Sequence, residues 1–262
     1  MSNATLLSVE GRVATVTMNR PAIRNALTGT GVLEGLLASL DTVKDDSALS
    51  VLIFTGAGSA FSAGGNLKDM QAGEGIFEGS PRRIAESYRT SVLRLMRTVA
   101  SLDLVTIAAI NGPAVGGGCD LALVCDLRFA SHTARLGQPA ISLGLVPGDG
   151  GAWILPRIVG WQRAAELIFT GRLIEADEAL ALGLVLELTD ADRLMERVDD
   201  LAHTIAAKPP HAVRLTKRLL RHARNTDFDA FLDMTAAFQA IAHHTQGHRE
   251  AVETIMDNRR ES

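Results

Sequence analysis

The sequence is poor in several things, and each shortage removes a class of function. Only two of its 262 residues are cysteines. Cys119 and Cys125 lie six apart on an expected helix and point to different faces, so a disulfide between them is not expected and a reducing compartment is. No apolar run approaches the ~18 residues of a membrane span. The first residues, MSNATLLSVE, have neither a basic start nor a long apolar stretch, so no signal peptide is read there. There is no excess of positive charge: the formal net charge is −4, so no global field favours nucleic acid. No low-complexity linker or strict internal repeat divides the chain. These absences predict a cytoplasmic protein with neither nucleic acid nor membrane as partner. Hydrophobic residues make up 47% and charged residues 21%, ordinary for a globular chain long enough to bury a sizeable core.

Patterning predicts an α/β protein. Thr5–Val9 and Arg12–Met18 alternate around Glu10-Gly11 as a hairpin would. The spacing of Leu33, Leu36, Leu37 and Leu40 predicts a helix over 27–43. SVLIFT (50–55), VTIAAI (105–110) and LRFA (127–130) read as strands. Helices are expected at 67–71, 81–100, after the glycines from near Cys119 to about 124, and near 161–170 and 175–182. From about Asp190 the chain reads as almost wholly helical. Strands alternating with helices imply an α/β core, taken as 1–189, followed by a helical region, 190–262. Within that region Phe228, Phe231, Leu232, Phe238 and Ile241 form one apolar stripe, which suits a packing face inside the subunit or a subunit interface.

Several motifs are near misses. TGAGSAF (55–61) follows a strand, but the third glycine of a dinucleotide fingerprint would fall on Phe61. AFSAG (60–64) is close to a nucleophile elbow, with Ala60 in place of its first glycine. His243, His244 and His248 could approach a metal, but a solvated helix explains them better, and no metal is expected. The stretch 208–224 carries six Lys/Arg and no acid. It reads as a solvated helix face or, second, as a docking surface for an anionic group or a neighbouring subunit.

Two loops remain, FSAGGN (61–66) and GPAVGGGCD (112–120). Each follows a strand and is rich in glycine. Three glycines in a row before a helix suggest a backbone held close to something, since each costs roughly 1 kcal/mol relative to alanine in a helix. Backbone N–H groups at a helix start stabilise negative charge. Two such donors converging from separate loops would form an oxyanion hole.

These motifs resemble the crotonase, or enoyl-CoA hydratase/isomerase, family along nearly the whole chain. The resemblance rests on MNRPAIRNAL (18–27), AFSAGGNLKDM (60–70), AAINGPAVGGGCDLALVCDLRFAS (108–131), LGLVPGDGGAWILPRIVG (143–160) and FTGRLIEADEALALGLV (169–185). It implies a spiral of β-β-α turns with a C-terminal helical region that builds a homotrimer or a dimer of trimers. It implies an acyl-CoA or enoyl-CoA substrate, with coenzyme A as part of that substrate and no prosthetic group. It places the oxyanion donors at the N–H groups of Gly65 and Gly117. Arg24, Ala63 and Lys68 match positions near coenzyme A.

The expected carboxylates depart from the pattern. The family's two glutamates would fall at 120 and 140, where this chain has Asp120 and Ala140. Alanine cannot transfer a proton, so hydration is expected to be weak. Asp149 could supply acid/base chemistry or could cap the helix that follows. One such group would suffice for a 1,3-proton shift, and what proton transfer occurs is expected to run through Asp120, with Asp149 as a possible partner. Decarboxylation, thioester hydrolysis or non-catalytic acyl-CoA binding are the alternative readings.

Overall fold

The structure, a computed structural model, describes residues 4–258. Nine strands are present among them: β1 (Thr5–Glu10), β2 (Val13–Met18), β3 (Val51–Gly56), β4 (Val105–Ile110), β5 (Ala114–Val115), β6 (Leu127–Ser131), β7 (Arg135–Gly137), β8 (Ile174–Glu175) and β9 (Glu187–Thr189). A six-stranded sheet runs β1-β2-β3-β4-β6-β9, and a small sheet runs β5-β7-β8. The expected hairpin is β1–β2, antiparallel, with Gly11 supplying the positive φ of its turn. From β2 to β9 the large sheet is parallel, so each step needs a crossover.

The crossovers repeat one plan, and that plan makes the spiral. β4 leads to β5 in the small sheet and then to the helix Gly117–Val124. β6 leads to β7 and, after a short 3₁₀ turn, to the helix Gly151–Val159. β3 leads to Ser62, which bridges Ala114 beside the small sheet, and then to the helix Leu67–Ala72. Three turns therefore deliver three loops to the carboxyl ends of neighbouring parallel strands, where open α/β sheets commonly bind ligands.

The pleat divides the large sheet's side chains between two cores. Val16, Met18, Leu52, Phe54, Ala108 and Ile110 pack towards the helices Val32–Val43 and Val92–Ser101. Val13, Val51, Ile53, Ile107 and Phe129 face the other way. They meet the helix Leu194–Ala206 through Leu194, Val198, Ala202 and Ala206, a stripe at helical spacing.

Several boundaries differ from the pattern-based reading, each for a local reason. The helix expected over 27–43 begins at Val32, because Gly29 and Gly31 adopt φ of 67° and 80°. The helix expected over 81–100 is two, Pro81–Thr90 and Val92–Ser101, broken at Ser91 (φ −117°, ψ −98°). The basic stretch 208–224 is a solvated face only in part: Lys208, Arg218 and Arg224 are exposed. Lys217 is buried and its ammonium meets Asp126 Oδ2 at 2.7 Å. Arg218 Nε donates to Asp103 Oδ2 at 2.8 Å, and Arg221 Nη1 donates to the Ser101 carbonyl at 2.7 Å. These cations clamp the helix Pro210–His222 to the amino ends of the interior strands β4 and β6. The apolar stripe on the helix Phe228–His243 is not an internal packing face either: Phe228 is 71% exposed and Ile241 55%. No helix among the described residues is long and apolar enough to cross a membrane.

Candidate active site

The two glycine loops touch backbone to backbone, which is why side chains are missing there. Ser62 N–H donates to the Pro113 carbonyl at 3.2 Å, and Val115 N–H donates to the Ser62 carbonyl at 2.9 Å. A Cβ on Gly64 would stand 2.4 Å from the Val115 carbonyl oxygen and 2.9 Å from Gly117 N. One on Gly118 would stand 2.4 Å from the Ser62 carbonyl oxygen. Gly116 has φ 53° and ψ −124°, and the helix opens at Gly117 rather than near Cys119. The first N–H groups of a helix have no intrahelical acceptor, so the helix presents its positive end here. Ser62 is no exposed nucleophile: it is fully buried, and its hydroxyl donates to the Asn25 carbonyl at 2.8 Å.

Ala63, Gly65, Gly117, Ala140 and Asp149 all line one cavity of about 210 Å³. Its remaining walls are mainly apolar, with Met70, Phe77 and Tyr88 among them. Asp149 Oδ2 lies 2.6 Å from where a Gly117 Cβ would be, so the carboxylate sits directly beside the first residue of the helix. Asp149 Oδ1 is buried with no hydrogen-bond partner. Burial pushes this carboxyl up to about 6. It does not cap the following helix, whose N-cap is Gly150 and receives no side-chain bond.

Asp120 is placed differently. It is fully buried and does not line the cavity. One oxygen accepts from Gln138 Nε2 and the other from Gly151 N–H at 2.9 Å. Asp120 thus ties the start of the helix Gly151–Val159, next to Asp149, to the helix Gly117–Val124. Burial, then the charge of Asp149, raises its pKa to about 8, with the Gly151 N–H pulling the other way. Both carboxyls of this neighbouring pair are therefore held above the ordinary carboxylate range, Asp149 by burial and Asp120 by burial and then the charge of Asp149. Tyr88 shifts upward too, through burial and then Asp149.

Arg24 and Lys68 are exposed outside the cavity. The Arg24 carbonyl accepts the Ala63 N–H at 2.8 Å, which pins the first loop. Lys68 rides on the short helix capped by Asn66, whose Oδ1 accepts its N–H at 3.1 Å. His243 Nδ1 and His248 Nε2 are 3.1 Å apart on the surface. No group of three metal-ligating side chains is present among the described residues. Gln138 and Tyr88 escaped the sequence reading. Gln138 sits two residues before Ala140, so the motif pointed near it. Tyr88 lies on a helix with no signature.

A buried carboxylate oxygen without a hydrogen-bond partner thus lines the cavity beside the start of a helix and two joined backbone loops. Comparison with known proteins gives the family. A profile described as enoyl-CoA hydratase/isomerase matches residues 8–260. A short-chain-enoyl-CoA hydratase of Clostridium acetobutylicum is 36% identical over 260 residues, 98% of this chain and 96% of that protein. A crotonyl-CoA hydratase of Syntrophomonas wolfei is 34% identical over 256 residues, 97% of this chain and 95% of its own length. The crystal structure of an enoyl-CoA hydratase from Bacillus anthracis superposes with a TM-score of 0.91 at 32% identity, covering 98% of this chain and 97% of that one. The chain belongs to the enoyl-CoA hydratase/isomerase family and has its crotonase fold.

Proposed function

We propose that this enzyme shifts a double bond in an enoyl-CoA thioester, with Asp149 as base and then acid. The carrying observation is that Asp149 brings the carboxylate to the cavity wall, while Ala140 lines the same cavity where a second acid was expected. The Asp149 carboxylate takes a proton from the α-carbon of a 3-enoyl thioester. The electron pair moves into a dienolate, and negative charge collects on the thioester oxygen. The Gly65 and Gly117 N–H groups hold that oxygen, and the helix dipole adds to them. Asp149 then returns the proton to the γ-carbon, leaving the 2-enoyl thioester. The α-carbon adjoins the carbonyl carbon, so a base beside Gly117 suits this step.

Asp120 acts as a positioning residue that holds Gly151 and Gln138 behind the base. Arg24 and Lys68 meet the phosphates of coenzyme A, and Ala63 packs against it. No prosthetic group takes part. The exposed stripe of the helix Phe228–His243 supports a homotrimer, alone or paired, built by residues 190–262 on a catalytic core of 1–189. Two free, buried cysteines suit a cytoplasmic enzyme. Incubation with 2-enoyl-, 3-enoyl- and saturated acyl-CoA thioesters in D₂O, read by mass spectrometry, tests the reading. Double-bond migration with α- or γ-deuteration supports it. Water addition as the dominant reaction refutes it.

A further inference from the structure

A second groove, of about 550 Å³, adjoins the catalytic cavity. The two share Met70, Phe77, Tyr88, Leu145, Val146 and Gly148 as lining, so their junction lies beside Asp149, the residue after Gly148. At this junction Gly148 faces Tyr88, whose Cε1 would lie 3.6 Å from a Cβ placed there. Past the junction, Ile84, Ala85 and Leu93 wall the groove, from the helices Pro81–Thr90 and Val92–Ser101. Arg89 is the one charged residue in its lining. Its guanidinium is 59% exposed and meets Glu86 at 3.5 Å. Val146 is 76% exposed and Leu145 44% at the junction, which is apolar surface that an apolar ligand would cover.

Resting on the enoyl-CoA reading above, we propose that this groove receives the distal part of the acyl chain. The substrate class is then medium-chain or longer enoyl-CoA with an apolar tail, not the four-carbon thioester. A four-carbon acyl group ends within the first cavity and leaves the groove unfilled. A polar tail would find no buried partner along Ile84, Ala85 and Leu93 and would lose its hydration there.

Binding of saturated thioesters tests this without turnover. Butyryl-, hexanoyl-, octanoyl- and decanoyl-CoA are titrated calorimetrically against the full-length protein. Each buried methylene adds at most about fourfold in affinity. Decanoyl-CoA is expected to bind at least tenfold more tightly than butyryl-CoA. Ala85→Trp, which fills the groove, and Ile84→Glu, which puts a charge in it, are each expected to bring that ratio towards one. A flat series, or a gain that both variants leave intact, overturns the proposal. Flat affinities with enoyl-CoA isomerisation would sink the groove and keep the reaction. A steep series that the variants flatten, with no isomerisation, would do the reverse. Failure of every thioester to bind would sink both.

Discussion

Asp149→Asn is the substitution that separates the two aspartates. Asparagine keeps the size of the side chain and removes its capacity to take a proton. Asp149 carries the carboxylate at the cavity wall, so no neighbour there replaces it. A positioned acid/base group contributes about 10²–10⁴-fold, and kcat should fall by that much with the fold unchanged. The pH profile carries a second signature. The Asp149 carboxyl titrates at about 6, and the ionised form is the active one. At pH 7 roughly nine-tenths is ionised, and at pH 5 roughly one-tenth, so kcat should drop about tenfold between them. Asp120 ionises at about 8, placing a second negative charge behind the first and opposing enolate formation, so activity should decline again above that pH. Asp120→Asn removes only the upper limb and leaves the lower one near 6. The assay is the initial rate of 3-enoyl-CoA isomerisation from pH 4.5 to 9.5 for wild type and both variants. If Asp149→Asn retains activity while Asp120→Asn abolishes it at every pH, the base is Asp120 and the division of roles is wrong.

Gly117→Ala keeps the N–H but sets a methyl 2.6 Å from Asp149 Oδ2. A base displaced by about 1 Å can cost ~10²-fold, so kcat should fall by that order, while an unchanged kcat would show that the carboxylate moves freely. Ala140→Glu adds a carboxylate to the cavity wall, and water addition to crotonyl-CoA should rise by about 10² or more if a second acid/base group is what hydration lacks; no gain in a folded variant would refute that. Lys217→Ala leaves Asp126 Oδ2, which also accepts from the Thr106 N–H at 2.7 Å, without its cation. Asp126 is 36% exposed, so water offsets part of the loss and breaking the pair should cost about 1 kcal/mol in denaturant unfolding; no measurable loss would mean the clamp is replaceable. Light scattering at micromolar concentration should give three or six copies, with Phe228→Glu/Ile241→Glu shifting the protein towards monomer; a wild-type monomer would end the trimer proposal.

Local sequence decided the elements whose cause is local. Alternation around Glu10-Gly11 made β1–β2 legible, and β-branched runs made β3 and β4 legible, because a strand buried on both faces needs such residues wherever it sits. The ordered glycine motifs carried the family, and Gly64 and Gly118 are glycines because loops packed backbone to backbone tolerate no side chain; Gly65 and Gly117 were named through the resemblance. β5, β7, β8 and β9 are only two or three residues long, too short for any period, and exist because the spiral brings their partners beside them. Charge pattern misled in part at 208–224: Lys217, Arg218 and Arg221 look solvated until the fold shows Asp126, Asp103 and the Ser101 carbonyl at the amino ends of β4 and β6. The two aspartates show the division most clearly. Their positions in the motifs made both candidates, but a carboxylate's reactivity depends on solvent, donors and neighbouring charge, and those come from distant segments. Folding alone gave Asp120 the Gly151 N–H and Gln138, and left Asp149 bare beside Gly117.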